Sequence, residues 1–236
     1  MIAVWRKELR SYFATPVGYV CMGVFLALSS LFFYVSILGQ HSSDLLTFIL
    51  QMSYLWMLLC PVLTMRLFAE ERQKRTDQLL LTSPVSLTRI TLGKYLAAVT
   101  VLLATVLLTG VYAAVIAAYG QLYPGEALMG YLGFVLQGCA FAAIDLTVSA
   151  FCRSPIISAA AAFGLNLALW IMDVLALNAP AWIGGVLSFL SLYSRNEPFI
   201  MGQFSPAGVL FDLSVIAAAL FIAIHALDAR RWKKGA

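Results

Sequence analysis

Four polar side chains interrupt apolar stretches long enough to cross a membrane, and these side chains are the first candidates for chemistry. They are Gln137, Asn166, Asp173 and Asp212. Polar groups at such depth are costly, so they mark either a path for a polar substrate or hydrogen bonds that join helices. Both interpretations stay open, and the four residues form a candidate substrate path.

Three aspartates differ in their positions along these stretches. Asp173 and Asp212 fall in the outer parts of theirs and could share a polar, wet pocket. Asp145 lies near the opposite end of its stretch, and Arg153 follows two helical turns later. Asp145 is therefore predicted to be paired with a cation or hydrated.

Residue patterns that support catalysis are missing from the sequence. It has no Gly-x-Ser-x-Gly, no His-Glu-x-x-His and no clustered aspartate pair, and its two histidines, His41 and His225, fall on opposite sides of the predicted membrane. Gly93-Lys94 lacks the upstream glycine spacing of a Walker A loop. We therefore predict no catalytic residues, no nucleotide site and no enzymatic activity in this chain.

The four cysteines match no metal-ligand spacing and are predicted to be packing residues. They are Cys21, Cys60, Cys139 and Cys152. No metal site or resident cofactor is expected.

Six apolar segments must position these residues. They run over 17–38, 46–68, 95–119, 127–151, 156–177 and 207–227. Each is near the roughly 20 residues that a helix needs to cross about 30 Å of hydrocarbon. With 62% hydrophobic and 11% charged residues, the chain has too few charges to cover a soluble domain. Residues 1–236 are therefore predicted to form one all-α integral membrane domain with six transmembrane helices.

The distribution of positive charge orients these helices. If the segments alternate in direction, every Lys and Arg except Arg195 falls on one side. Basic residues are retained on the cytoplasmic side, so both termini are predicted to be cytoplasmic in a multi-pass protein of the bacterial inner membrane. The net charge of +4 suits anionic membrane lipids rather than nucleic acid.

Residues 2–13 are predicted to form an amphipathic helix in the membrane interface. Its apolar side, with Ile2, Trp5, Leu9, Tyr12 and Phe13, would face lipid. Its cations, Arg6, Lys7 and Arg10, would reach the head groups. A merely solvated basic tail is the alternative.

Residues 178–206 are the longest external connection. The run from Trp182 to Tyr193 is apolar but too short to span, and Pro198 and Pro206 bound the second half of the segment. We predict a re-entrant or external helix pair before the last span.

The loop at 69–94 contains the most informative motif. Glu70 and Glu71 open a mixed-charge stretch, and a short helix over 76–81 would end in three leucines. Ser83-Pro84 offers a cap and a first helical residue for a helix that runs into the third span. Exposed leucines with charged flanks either bind a partner or fold back onto the bundle.

This loop resembles the one between spans two and three of ABC-2 type transporter permeases, where a Glu-rich exit, a Thr-x-Glu-Leu-Leu-like helix, a Ser-Pro turn and a Gly-Lys-aromatic segment recur. Here the last of these is Gly93-Lys94-Tyr95. The chain is most similar to compact gliding-motility-associated permeases. It departs from the pattern at Gln78, which replaces the acidic residue and has Asp77 beside it.

The resemblance implies a half-transporter. Two permease chains, identical or paralogous, would pair above two copies of a separate ATPase that holds ATP and Mg. The coupling residues would be Glu70, Glu71, Thr76, Asp77, Gln78, Leu79, Leu80 and Leu81. Export is the expected direction, and a periplasmic accessory subunit could cover 178–206. The alternative is a non-transporting membrane anchor or assembly subunit.

A run of small residues in the fifth span predicts close helix contact. Residues 158–164 contain Ser158, four alanines and Gly164. Such a face packs either against a second copy of the chain or inside the bundle.

Overall fold

The computed structural model describes residues 1–39, 44–76, 85–178, 180, 184 and 191–233. It is 89% helical, and the described part contains no strand. The helices are α1 (Ile2–Ala14), α2 (Pro16–Phe33), α3 (Leu45–Met65), α4 (Leu87–Tyr119), α5 (Pro124–Phe151), α6 (Pro155–Asn178), α7 (Leu192–Ile200) and α8 (Pro206–Lys233). Helix α2 continues as a π-helical turn over Tyr34–Leu38. Helix α3 likewise continues as a π-helical turn over Arg66–Glu70 and ends in an α-helical turn at Glu71–Gln73.

Local sequence explains where the helices begin. Four of them start at a proline, whose fixed φ and missing N–H suit the first helical position. Thr15, in an extended conformation, separates α1 from α2. The carboxylate of Asp44 accepts a hydrogen bond of 3.1 Å from the Thr47 amide and so caps α3.

The six predicted spans are confirmed. Six helices are long and apolar enough to cross a membrane, over Pro16–Leu38, Leu45–Gln73, Leu87–Tyr119, Pro124–Phe151, Pro155–Ala176 and Pro206–Ala229. The predicted helix start at Ser83-Pro84 is wrong, because Val85 and Ser86 lie outside the helix and Ser86 occupies the N-cap position. Helix α4 begins at Leu87, before the predicted span at 95–119, and Lys94 in this first part of the helix pairs with Glu8 and Glu71.

Helices α3 and α5 form the centre of the bundle. More than half of the apolar window of each is buried, whereas that of α6 is 17% buried. Trp56 of α3 stacks edge-on against Phe25 of α2, and its indole nitrogen lies beside Gly138 of α5. A side chain at Gly138 would also strike Leu102, so this glycine permits close packing of α5 against α4.

One end of the bundle gathers α1, the end of α3, the start of α4 and residues 152–154, and we call it the basic end. The Lys7 ammonium contacts the Glu71 carboxylate at 3.2 Å, and Arg72 donates a hydrogen bond of 2.9 Å to the Cys152 carbonyl. These contacts place the N-terminal helix, the 69–94 loop and the 152–155 turn together, as alternating spans predict.

At the opposite end, α7 packs into the bundle. The ring of Phe199 is buried in a notch where Gly133 of α5 and Gly208 of α8 leave room for it. A Cβ at Gly133 would lie 2.5 Å from the Phe199 Cβ. Residues 181–183 and 185–190, in the first half of the predicted external segment, lie outside the described residues. Its second half is a helix, and a re-entrant path for the whole segment stays a prediction.

The small residues of α6 divide between two faces. Ser158 and Ala162 are buried inside the bundle, so part of the run serves internal packing. Ala160, Ala161 and Gly164 face outward, and a Cβ at Gly164 would have no neighbour within 4 Å.

Candidate functional site

Helix α1 docks on α3 and α4 at the basic end. A Cβ at Gly93 would lie 2.9 Å from Val4, so only glycine lets the two helices approach this closely. The Trp5 indole N–H donates a hydrogen bond of 3.0 Å to the Thr100 hydroxyl. Helix α1 is therefore packed against the bundle along its length.

This docking changes the predicted orientation of α1. Tyr12, expected to face lipid, is buried, and its hydroxyl donates a hydrogen bond of 2.8 Å to the Leu63 carbonyl. The packed side includes Glu8, while Arg6 and Arg10 are exposed and Ile2 is 70% exposed. The side of α1 that faces the bundle is the one on which the Glu8 carboxylate can pair with Lys94. Hydrophobicity alone does not predict this side. Placement of α1 in a membrane interface stays a prediction.

Two cations and two carboxylates form a closed ring between α1, α3 and α4. We call the four residues Lys7, Glu8, Glu71 and Lys94 the ion ring. The Lys94 ammonium lies 3.0 Å from a carboxylate oxygen of Glu8 and 3.0 Å from one of Glu71. The Lys7 ammonium lies 3.5 Å and 3.2 Å from the same two oxygens. Each cation therefore bridges both carboxylates, and the ring is electrically neutral.

Lys94 is the buried member of the ring. Its side chain has 0% exposure, and its ammonium also donates a hydrogen bond of 2.6 Å to the Leu67 carbonyl and lies 5.2 Å from the centre of the Phe68 ring. A buried charge is tolerated only when it is paired and hydrogen-bonded. The two carboxylates supply this pairing for Lys94.

Lys7 closes the ring from the solvent side. Burial acts to lower the pKa of Lys7, but the carboxylates of Glu71 and Glu8 outweigh it and raise this pKa above its ordinary value. Lys7 therefore keeps its positive charge at neutral pH and continues to bridge the carboxylates of Glu8 and Glu71.

A second charged group lies beside the ring. Glu70 accepts hydrogen bonds of 2.6 Å from Arg66 and 2.7 Å from Lys74, and Arg66 also donates one of 2.8 Å to the Thr15 hydroxyl. Glu70 thus ties the last turns of α3 to the junction between α1 and α2. A crevice of about 350 Å³ separates this group from α1.

The π-helical turn at the end of α3 is held by α5. The buried Ser149 hydroxyl accepts hydrogen bonds from the amides of Phe68 (3.3 Å) and Ala69 (3.2 Å), and it donates one of 3.2 Å to the Met65 carbonyl. A π turn leaves backbone groups without their α-helical partners, and inserted side chains commonly satisfy them. Ser149 performs this role here.

The chain leaves α3 immediately after these contacts. Arg75 adopts a left-handed conformation with φ 56°, and the Thr76 amide donates a hydrogen bond of 2.9 Å to the Glu71 carbonyl. Asp77, Gln78, Leu79, Leu80 and Leu81 lie outside the described residues. The structure therefore holds both ends of the predicted coupling segment, Glu71 before it and Lys94 after it, in one ion ring.

Comparison with known families places this loop in context. Residues 25–202 match the sequence family described as ABC-2 family transporter protein. This chain belongs to the ABC-2 transporter family. The match covers more than half of the chain and includes Glu71 and Lys94, and it begins after α1. No curated protein matches the sequence.

Membership explains the architecture. The chain is a multi-pass membrane protein and a permease subunit of an ABC transporter, whose complex includes an ABC ATPase. Permeases of this family normally lack a nucleotide-binding site of their own.

The predicted substrate path falls at separate places in the bundle. Asp212 of α8 and Asn196 of α7 meet at the end of the bundle opposite the basic end, where the Asn196 amide donates a hydrogen bond of 3.4 Å to the Asp212 carboxylate. Asn166 is buried between helices and donates a hydrogen bond of 3.3 Å to the Met57 carbonyl. Gln137 is buried two turns along α5 from Asp145, about 12 Å at 1.5 Å per residue. The side chain of Asp173 lies outside the described part, so its shared pocket with Asp212 stays a prediction.

The environment of Asp145 differs from the prediction. It is fully buried, while Arg153 is exposed, and no ion pair joins them among the described residues. Asp145 lies instead near the side chains of Cys60 and Asn166, because its face of α5 turns toward α3 and α6. The four cysteines are free thiols, and the described residues contain no cluster suited to a metal ion.

Sequence reasoning missed two residues of the candidate site. Glu8 is the only acidic residue in α1, and a single carboxylate in a basic helix could have signalled a buried partner. Ser149 has no such signal, because a serine in an apolar helix is common and its role depends on the π turn of α3.

Proposed function

We propose that this permease couples ATP hydrolysis on a separate ATPase to substrate export across the bacterial inner membrane. The observation that supports it most directly is the ion ring, which joins Glu71 and Lys94, near the two ends of the 69–94 loop, to each other and to α1. A loop anchored in this way moves with the transmembrane helices, whereas a loop on flexible ends would absorb a push from a docked partner.

In this proposal, residues 76–81 form the coupling helix. Leu79, Leu80 and Leu81 would occupy a groove on the ATPase, which holds ATP and Mg, and Asp77 and Gln78 would contact its rim. Force on this segment would pass through Glu70 and Glu71 into α3 and through Lys94 into α4. The permease would not hydrolyse nucleotide itself.

Orientation follows from charge. The basic end would be cytoplasmic, with both termini on that side, and the exposed Arg6 and Arg10 of α1 would contact lipid head groups. Export is the proposed direction because the resemblance is to a family composed mostly of exporters.

A second permease chain, identical or paralogous, would complete the complex above two ATPase copies. The outward-facing small residues of α6, including Gly164, support close contact between helices at such an interface. The buried polar residues Gln137, Asn166 and Asp212 are proposed to line a path only when the bundle opens, because the described packing encloses them.

The test is affinity purification of the tagged chain from its native membranes in mild detergent, followed by mass spectrometry. We expect an ATP-binding subunit to copurify. Leu79→Asp with Leu80→Asp should abolish its recovery, because two charges would enter an apolar contact, and membrane insertion should be unchanged.

The matched control places the same two charges at Gln121 and Tyr123, at the other end of the bundle, and should retain the ATPase. Recovery of the chain without an ATPase, with all variants alike, would contradict coupling and favour the anchor or assembly subunit.

A further inference from the structure

Asp145 is a buried titratable residue with no place in the coupling proposal. It lies on α5 where α3 and α6 pack against that helix, and its exposure is 0%. No cation pairs with it among the described residues; only the uncharged Cys60 thiol and Asn166 side chain lie close to it, and neither makes a hydrogen bond of ordinary geometry to its oxygens. An ionised carboxylate in that condition is among the most costly groups that a helical bundle can enclose.

The backbone beside Asp145 is irregular. Pro61 lies inside α3 and has no N–H, so the Met57 carbonyl, four residues earlier, loses its helical partner. The Asn166 amide of α6 donates a hydrogen bond of 3.3 Å to that carbonyl. The Asn166 side-chain oxygen is buried and has no partner within the described part of the chain.

The site is enclosed on its outer side by aromatic residues. Phe141 is one helical turn from Asp145, and its ring lies 6.1 Å from that of Tyr193 in α7. The Tyr193 hydroxyl contacts the Met57 sulfur at 3.1 Å. The polar groups around Asp145 are therefore walled off by α7, and a bare proton is the one cationic ligand that needs no additional space.

No described basic side chain contacts Asp145 from the surrounding helices. Helix α3 presents the Cys60 thiol, and α6 presents the uncharged Asn166. Among the other titratable groups on helices packed against α5, the following have contacts elsewhere: Lys94 and Glu71 in the ion ring, Arg66 with Glu70, Arg72 with the Cys152 carbonyl, Tyr95 with the Cys139 carbonyl, Tyr193 with Met57, Arg195 with the Phe211 ring, Asp212 with Asn196, and His225 with the Phe221 carbonyl. Asp228 is exposed.

We propose that Asp145 is a proton-binding site and carries a proton at neutral pH while α3, α5 and α6 are packed together. A protonated carboxyl is uncharged and can donate one hydrogen bond, so a single proton removes the buried charge and supplies a donor in the region of the unpaired Asn166 side-chain oxygen. Releasing the proton requires that α6 separate and admit water. Proton binding at Asp145 therefore favours the closed bundle, whether or not an ATPase is docked.

Infrared spectroscopy of the purified protein in lipid tests the site directly. A protonated carboxyl has a C=O stretch that is separate from those of carboxylates and amides. At neutral pH this band should be present in the wild type and lost in Asp145→Asn, which has the shape of the protonated residue. Asp44→Asn, at an exposed helix cap, should leave the band unchanged. Asn166→Ala should shift the band, because it removes a neighbour of the carboxyl without removing the carboxyl.

Unfolding equilibria measured as a function of pH provide the second test. A proton held only in the packed state makes folding less favourable as pH rises, by up to about tenfold per pH unit for one proton. The wild type should show this loss, and Asp145→Asn should lack it. A wild-type spectrum without a band that depends on Asp145, or equal pH slopes for the two proteins, would overturn the proposal.

Discussion

Replacing Lys94 by Met tests whether the ion ring holds the coupling loop in place. The substitution retains most of the side-chain volume and removes a buried ammonium that has two carboxylates at 3.0 Å and a carbonyl at 2.6 Å. Glu8 and Glu71, whose side chains are 11% and 16% exposed, would then face each other with only the exposed Lys7 between them. Breaking a buried ion pair from one side costs about 3–5 kcal/mol, and we expect a loss in that range.

The matched control is Lys74→Met. Lys74 also pairs with a glutamate, at 2.7 Å, but its side chain is 66% exposed. Exposed ion pairs contribute less than about 1 kcal/mol, so this variant should be nearly as stable as the wild type. Both variants lose one positive charge, so a difference in stability between them reports the effect of burying the lysine.

Reversible unfolding in mixed micelles measures both variants, and cleavage before Asp77 by an aspartate-specific protease, whose site neither substitution alters, reports whether the ends of the 69–94 loop are released. Lys94→Met should unfold earlier and be cleaved faster than Lys74→Met. Equal losses in the two variants, or a loss below about 1 kcal/mol for Lys94→Met, would refute the inference that the buried ring anchors the loop.

Three further perturbations test other contacts of the bundle. Gly133→Ala should destabilise the protein by about 1–3 kcal/mol because the new methyl group overlaps the α7 side chain in its notch, whereas Gly23→Ala, where a Cβ has no neighbour within 4 Å, should be neutral or stabilising in the same unfolding assay. Ser149→Ala should cost about 1–3 kcal/mol by leaving buried amides of α3 unpaired, and the exposed Ser214→Ala should change stability by less than about 0.5 kcal/mol. The pKa of Lys7 is raised, so the stability that Lys7 contributes is complete below its ordinary pKa and is lost as pH rises through the raised value. Lys7→Met should therefore remove this loss of stability at alkaline pH. A curve of stability against pH that is the same in Lys7→Met and the wild type would contradict the ion ring.

The transmembrane architecture could be predicted because hydrophobic length is a local property. Every predicted span corresponds to a helix, and the prolines at 16, 124, 155 and 206 mark helix starts. The family also followed from local pattern, since the motif around Glu70 and Gly93 is contiguous in sequence. The predicted start of α4 was wrong because a Ser-Pro pair is a general helix signal, and the helix begins only after Ser86, which occupies the N-cap position without a side-chain hydrogen bond.

The contacts of the candidate site could be predicted only in part. Lys94 was recognised as part of a motif, but its partners come from 86 residues earlier, in Glu8, and from the end of α3, in Glu71. Lys94 appeared to be one more cytoplasmic cation. Its burial makes it the centre of the ring.

Six membrane-spanning helices, a basic end and membership of the ABC-2 family could all be derived from the amino-acid sequence, because each of these properties depends on residue type and spacing along one segment. Only the packed bundle shows which side of α1 faces the other helices, which carboxylates neutralise Lys94 and which aspartate is enclosed without a cation beside it. These outcomes depend on side chains from three or more helices meeting at once, and no single segment of sequence contains that geometry.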